Sequence, residues 1–178
     1  MRLVTVGGPG AEPPSRVDAW LVTDERAELI ATVRRLARAR GIAAEATDVD
    51  FDHLRVRCHP VVHTSHPTFG YLINSSQPPL RVVWAPEFAE FPSWASGADL
   101  MFTEAAGWNR PIRFARDVGG HLDAIFVAIP ARRHRIGRLV FAHIERPRIR
   151  AIDQGERPPF GEFARDAQVF LPRARPLG

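Results

Sequence analysis

Apolar and polar positions alternate along this chain with two periods, and each period predicts its own kind of element. Arg2 to Val6 and Arg16 to Val22 are short apolar runs that read as strands, separated by a Gly/Pro-rich loop from Gly7 to Pro14. Leu29, Ile30, Val33, Leu36 and Ala37 fall at i, i+1, i+4, i+7 and i+8, the stripe of a helix that runs to Arg40 and stops at Gly41. Arg34, Arg35, Arg38 and Arg40 lie mostly on its other faces and read as a solvated surface. Leu54 to His63 alternates as a strand does, with Pro60 marking an edge or a bulge. Phe69 to Asn74 is a further strand, Ser75 to Pro79 a turn, and Leu80 to Ala85 an apolar run typical of a buried strand. Leu100 to Thr103, Gly137 to His143 and Phe163 to Leu171 complete the strands. His121 to Ile129 reads as a helix with Leu122, Ile125, Phe126 and Ile129 in register.

Strands follow one another in places and are joined by helices elsewhere. That mixture predicts an α/β (α+β layered) class, a sheet-on-sheet core with helices outside. With 178 residues the chain forms one domain, 1–178, in which 173–178 reads as a frayed Pro-rich tail.

Composition narrows the setting. A hydrophobic content of 45% and a charged content of 25% are ordinary for a soluble globular protein. No apolar run approaches the ~20 residues that span a bilayer, and the apolar part of the N-terminus is short for a signal peptide. Cys58 is the single cysteine, which excludes an internal disulfide and a cysteine-rich zinc site. The expectation is a cytoplasmic protein with no membrane partner. All 24 basic residues are arginines, the mark of GC-rich coding, and acids are interspersed among them. A nucleic-acid reader clusters its charge, so nucleic acid is not the expected partner.

The stretch from Val17 to Leu29 is strand, polar turn, helix. In α/β folds such a turn sits at the C-terminal edge of a sheet, where chemistry is commonly placed. It resembles the metallo-β-lactamase-fold hydrolases, in which an apolar strand runs into Thr-His-x-His-x-Asp-His and then a helix. Here the frame reads Thr23-Asp24-Glu25-Arg26-Ala27-Glu28-Leu29, without the histidines. Further segments resemble the ribonuclease Z-like and cyclic-phosphodiesterase-like branch in the same order. They are His59 to Ile73, with His63 ahead of Gly70-Tyr71; Val82 to Glu87; Gly97 to Ala105; Gly119-Gly120-His121-Leu122; Leu139 to His143; and Ala164 to Val169.

The resemblance implies an αββα sandwich with a shortened N-terminal region. It also implies a site where two cations are held by imidazoles and carboxylates. His63, Glu87 and His143 match metal-ligand positions, and Asp24 and Glu28 would offer oxygens in place of a histidine and an aspartate. Arg26 cannot ligate, because its guanidinium stays protonated, and Leu29 has no donor. Each implied metal site therefore loses a ligand. The expectation is a pseudoenzyme: the binuclear centre lost, no cofactor, and a non-hydrolytic or ligand-binding role. A small anion would be held in a pocket of Asp24, Arg26, Glu28, His63, Glu87 and His143. Arg26 would be buried there, bonded to the anion or paired with Glu87 or Glu28. His121 matches a histidine that is catalytic in some relatives, against a plain role at a helix N-terminus. One alternative is a phosphodiesterase-like hydrolase with one divalent zinc, manganese or iron. Another is an arginine-rich interaction protein for an acidic partner or RNA. His53, His59, His66 and His134 read as structural or surface residues. Asp99 and Glu104 read as cap and salt-bridge residues, and Trp84, Trp94, Trp108, Phe88 and Phe91 as core, against a rim around the pocket.

Overall fold

The computed structural model describes residues 4–6, 16–27, 29–64, 66–115, 119–144, 146–165 and 168–171. The loop expected at 7–14, the tail 173–178 and Glu28 lie outside the described residues. The elements in order are β1 (Val4–Val6), β2 (Ala19–Leu21), α1 (Ile30–Arg38), β3 (Ala44–Glu45), β4 (Val49–Phe51), β5 (Leu54–Val61), β6 (Thr68–Ser76), β7 (Pro79–Ala85), β8 (Leu100–Ala105), β9 (Ile112–Arg113), β10 (Gly120–His121), α2 (Ala124–Arg133), β11 (Arg138–Ile144), α3 (Arg146–Asp153) and β12 (Glu162–Phe163).

A seven-stranded sheet has the order β12-β11-β8-β7-β6-β5-β4. Its β4-to-β7 half is an antiparallel meander. Its β7, β8, β11 and β12 half is parallel. Two reversals make β5 run the same way as β7, so β5, β7, β8 and β11 all end at one edge.

Side chains alternate across this sheet, and each face is dried differently. On one face Leu72, Val83, Ala85, Met101, Leu139 and Phe141 pack against Ala124, Val127 and Ala131 of α2. On the other, Val56 and Tyr71 meet Leu21 of β2, in a three-stranded parallel sheet β1-β2-β3. Beyond that small sheet, Trp20, Val22 and Ala44 pack on Val33 and Ala37 of α1. The layers are α1, small sheet, large sheet, α2: an αββα sandwich whose N-terminal layer is short. The Tyr71 hydroxyl donates to the Val22 carbonyl at 2.6 Å and staples the two sheets. Burial pushes that phenol far above its usual range.

Pro60 sits where the sheet can take it. β4 pairs with β5 only from Leu54 to Val56, so the rest of β5 is an edge. The Asp48 carboxylate accepts the Cys58 N–H at 2.7 Å, and the Trp94 indole N–H donates to the Pro60 carbonyl at 3.3 Å. These contacts occupy groups that an edge strand would otherwise offer to another chain.

Three expectations are corrected. The helix expected from His121 begins at Ala124, because Asp123 caps it: Oδ1 accepts the Ile125 and Phe126 N–H groups at 2.9 and 3.0 Å. Its buried face is Ala124, Val127, Ala128 and Ala131, while Phe126 and Ile129 are 53% and 48% exposed. Small side chains bring the helix close to the sheet, and that closeness outweighs the size of the apolar residues on the next face. The closing strand is Glu162–Phe163 alone. After it, the Gln168 side chain accepts the Arg165 N–H at 2.9 Å, and Phe170 turns back edge-on to Phe102 at 5.1 Å. Finally, α3 occupies Arg146–Asp153, which carried no expected element.

These faces predict opposite mutational costs. Val127→Ala should lower the unfolding free energy by about 2 kcal/mol, as a buried truncation leaving a cavity does. Phe126→Ala should stay within about 0.5 kcal/mol of wild type, as a surface change does. Urea unfolding curves of the two variants check this, and the reverse ranking would contradict the assignment.

Candidate functional site

The common edge collects the chemistry. His63 lies two residues past β5, Glu87 two residues past β7, Glu104 near the end of β8 and His143 near the end of β11. His143 and Glu104 are register partners across the parallel pair. His121 comes from β10, which pairs with β9 as a short antiparallel ribbon.

Glu87 stands between two histidines. One carboxylate oxygen is 4.0 Å from His63 Nε2 and the other is 3.4 Å from His143 Nδ1. The His121 ring centroid is 4.6 Å from that of His63 and 5.5 Å from that of His143. Phe114 presents its ring to His63 at 5.5 Å and to His121 at 5.4 Å, an apolar wall against both.

Two imidazoles have a fixed proton. His63 Nδ1 lies 3.0 Å from the Gly120 carbonyl, which can only accept, so Nδ1 carries the hydrogen. His121 Nδ1 donates to Glu104 Oε2 at 2.8 Å. Glu104 is fully buried in a strand whose other residues are apolar apart from Thr103. Its charge is met by His121 and by the backbone N–H groups of Phe88 and Ala106, each at 3.0 Å. A buried carboxylate with three donors is a stable arrangement, whereas one without donors would not be.

The turn after β2 is built differently. Asp24 reaches the same edge, bridged to Thr68 at the start of β6. Its Oδ2 is 2.8 Å from His66 Nε2, and its Oδ1 accepts the Arg26 N–H at 2.7 Å. That second bond makes a tight polar turn in which Arg26 is exposed, and Leu29 is 54% exposed. Because Arg26 is exposed, the buried Arg26–Glu87 pair expected from the sequence does not form. Glu28 lies outside the described residues. The structure thus brings together His63, Glu87, His121 and His143 and ties Asp24 elsewhere.

Several contributors were not visible as such in the sequence. Glu104 read as a cap and salt-bridge residue; a lone acid inside the apolar run Leu100 to Ala105 was its signal. His66 read as structural, and it does hold Asp24. Phe114 had no signal, because the β9–β10 ribbon that carries it is only two residues wide on each side. The other aromatics are packing residues: Phe88 is in the core, with Phe91, Trp94 and Trp108 against it.

Compared by sequence, the chain matches no family model and no curated protein. Compared by structure, it is similar to the metallo-β-lactamase fold protein YhfI from Bacillus subtilis, with a TM-score of 0.58 and 13% identity over 83% of this chain and 73% of that one. It is also similar to a diphosphatase of the PhnP family, with a TM-score of 0.54 and 16% identity over 86% of this chain and 70% of the other. Those likenesses agree with the α1, small sheet, large sheet, α2 layering, and the chain has the metallo-β-lactamase fold.

Proposed function

We propose that this protein has lost the binuclear metal centre of its fold and serves as a non-hydrolytic, ligand-binding protein, with room for one divalent cation at most. The observation that supports this is the division at the sheet edge. The carboxylate of Asp24 is spent on His66 and on the Arg26 N–H, and Arg26 and Leu29 lie toward solvent. A second cation would have to draw its ligands from that turn, and among the described residues the turn offers Asp24 and Glu25, of which Glu25 accepts the Ala46 N–H at 3.0 Å and lies 3.7 Å from the Arg34 guanidinium.

The remaining donors do suit one cation. Because His63 Nδ1–H is committed to Gly120, its Nε2 lone pair faces the Glu87 carboxylate, and His143 approaches the other oxygen. Among the described residues no three such side chains form a ready-made ligand shell, so the fit is one of donor chemistry. His63, Glu87 and His143 would hold the ion, and mixed imidazole and carboxylate donors suit zinc, manganese or iron. When bound, the ion would supply positive charge to an anionic oxygen and acidify a water. The protein's own part is to orient: Glu104 fixes His121, Gly120 fixes His63, and Phe114 shields both rings.

A second reading is favoured by the Glu104–His121 pair. A buried carboxylate holding an imidazole beside His63 is an arrangement suited to general acid–base work. Together with the likeness to a diphosphatase, it points to a one-cation hydrolase of phosphate esters. Hydrolysis of bis(p-nitrophenyl) phosphate that needs added manganese or zinc, and that His121→Ala abolishes, would favour it over the binding protein.

Two outcomes are expected. Protein purified without chelator and dialysed against zinc or manganese should carry no more than one ion per chain by elemental analysis; two would overturn the proposal. Asp24→His, Arg26→His, Glu28→Asp and Leu29→His combined should raise the stoichiometry toward two by restoring donors in the turn. An unchanged stoichiometry would show that the turn is not the missing half of the site.

A further inference from the structure

We propose that Gly119 and Gly120 are positioning residues that set the tautomer of His63 through the backbone; this rests on the reading of His63 as a cation ligand. Gly120 is bonded to His63 twice. Its N–H donates to the His63 carbonyl at 2.8 Å, and its carbonyl accepts from His63 Nδ1 at 3.0 Å. The two bonds close a ring between one backbone unit and one histidine, holding the imidazole in position and its proton on Nδ1.

Only glycine permits this approach. Gly119 and Gly120 have φ of +145° and +156°, conformations that residues with side chains rarely adopt. A Cβ on Gly119 would lie 1.9 Å from the His63 carbonyl oxygen, and one on Gly120 would lie 2.0 Å from the Ile112 carbonyl oxygen. The first clash pushes the ribbon off His63. The second pushes β10 off β9, which pairs Gly120 with Arg113 and His121 with Ile112. The Phe114 N–H donates to the Gly119 carbonyl at 3.0 Å, so the turn that carries Phe114 moves with the glycines.

The consequence is chemical as well as steric. An imidazole ligates through its unprotonated nitrogen, and the hydrogen bond made by the other nitrogen decides which one that is. His121 has a carboxylate for that purpose. His63 has a peptide carbonyl, which fixes the tautomer without adding negative charge. Both rings are thereby protonated on Nδ1 by different means.

The test reads the proton directly. In full-length, metal-free protein with selectively 15N-labelled histidine, the neutral form of His63 should show a protonated Nδ1 and an unprotonated Nε2. A protonated Nε2, or a fast mixture of tautomers, would overturn the proposal. Gly119→Ala should release the tautomer to a mixture and weaken zinc or manganese binding by about 10–100-fold, as loss of an orienting partner does. In a His63→Ala background the same change should weaken binding less than threefold, because the residue it orients is gone; full additivity would overturn the proposal. If Gly119→Ala does not fold, the wild-type spectrum decides. Because the tautomer is read without metal, a protein that binds no cation removes the reading of His63 as a cation ligand and leaves the spectrum to judge the tautomer.

Discussion

A sheet whose middle strands run parallel must be covered on both faces, because its strands are apolar in both directions. Here one face is met by α2 through alanines and Val127, and the other by a three-stranded layer carrying α1 on its back. The two coverings are unequal in size, three strands facing seven. Tyr71 ties them together through a single phenol-to-carbonyl bond at Val22. That bond lies two residues before Asp24, so it also anchors the turn at the site edge. Packing thus decides which strand ends meet, before any polar group does its own work.

At the meeting edge the costly group is Glu104. A fully buried carboxylate is tolerated when each charge-bearing oxygen is bonded, and removal of a partner from such a group costs several kcal/mol. Phe88, Ala106 and His121 supply the donors, and only the last is a side chain. His121 is therefore held by the same interactions that stabilise the edge of β8. His63 is held from the ribbon side by Gly120. Glu87 and His143 are the more exposed members of the cluster, each with about a quarter of its side chain open, whereas His63 is buried.

Much of the fold was legible because it rests on periodicity. Val33 and Ala37 bury where the stripe of α1 placed them, and the strands from Leu54 to Ala85 fall within about two residues of where alternation and the turn at Ser75 to Pro79 put them. The resemblance of ordered short segments carried the layer architecture where periodicity could not. What failed, failed for both tertiary and local reasons. In α2 the larger apolar residues suggested the wrong face, since a helix lying close to a sheet selects small ones. Arg26 was expected inside because Arg26 replaces a ligand in the related frame, but the Asp24 carboxylate folds the turn on itself and leaves Arg26 outside. The β9–β10 ribbon is too short to have a period at all. Its glycines gain meaning only beside the backbone of His63.

The central claim is that the turn of Asp24 no longer supplies its half of a two-cation site. Anomalous diffraction from crystals soaked in manganese or zinc locates each ion independently of activity. No more than one peak per chain is expected, bounded by His63, Glu87 and His143. Two peaks, the second at the turn of Asp24, would contradict it.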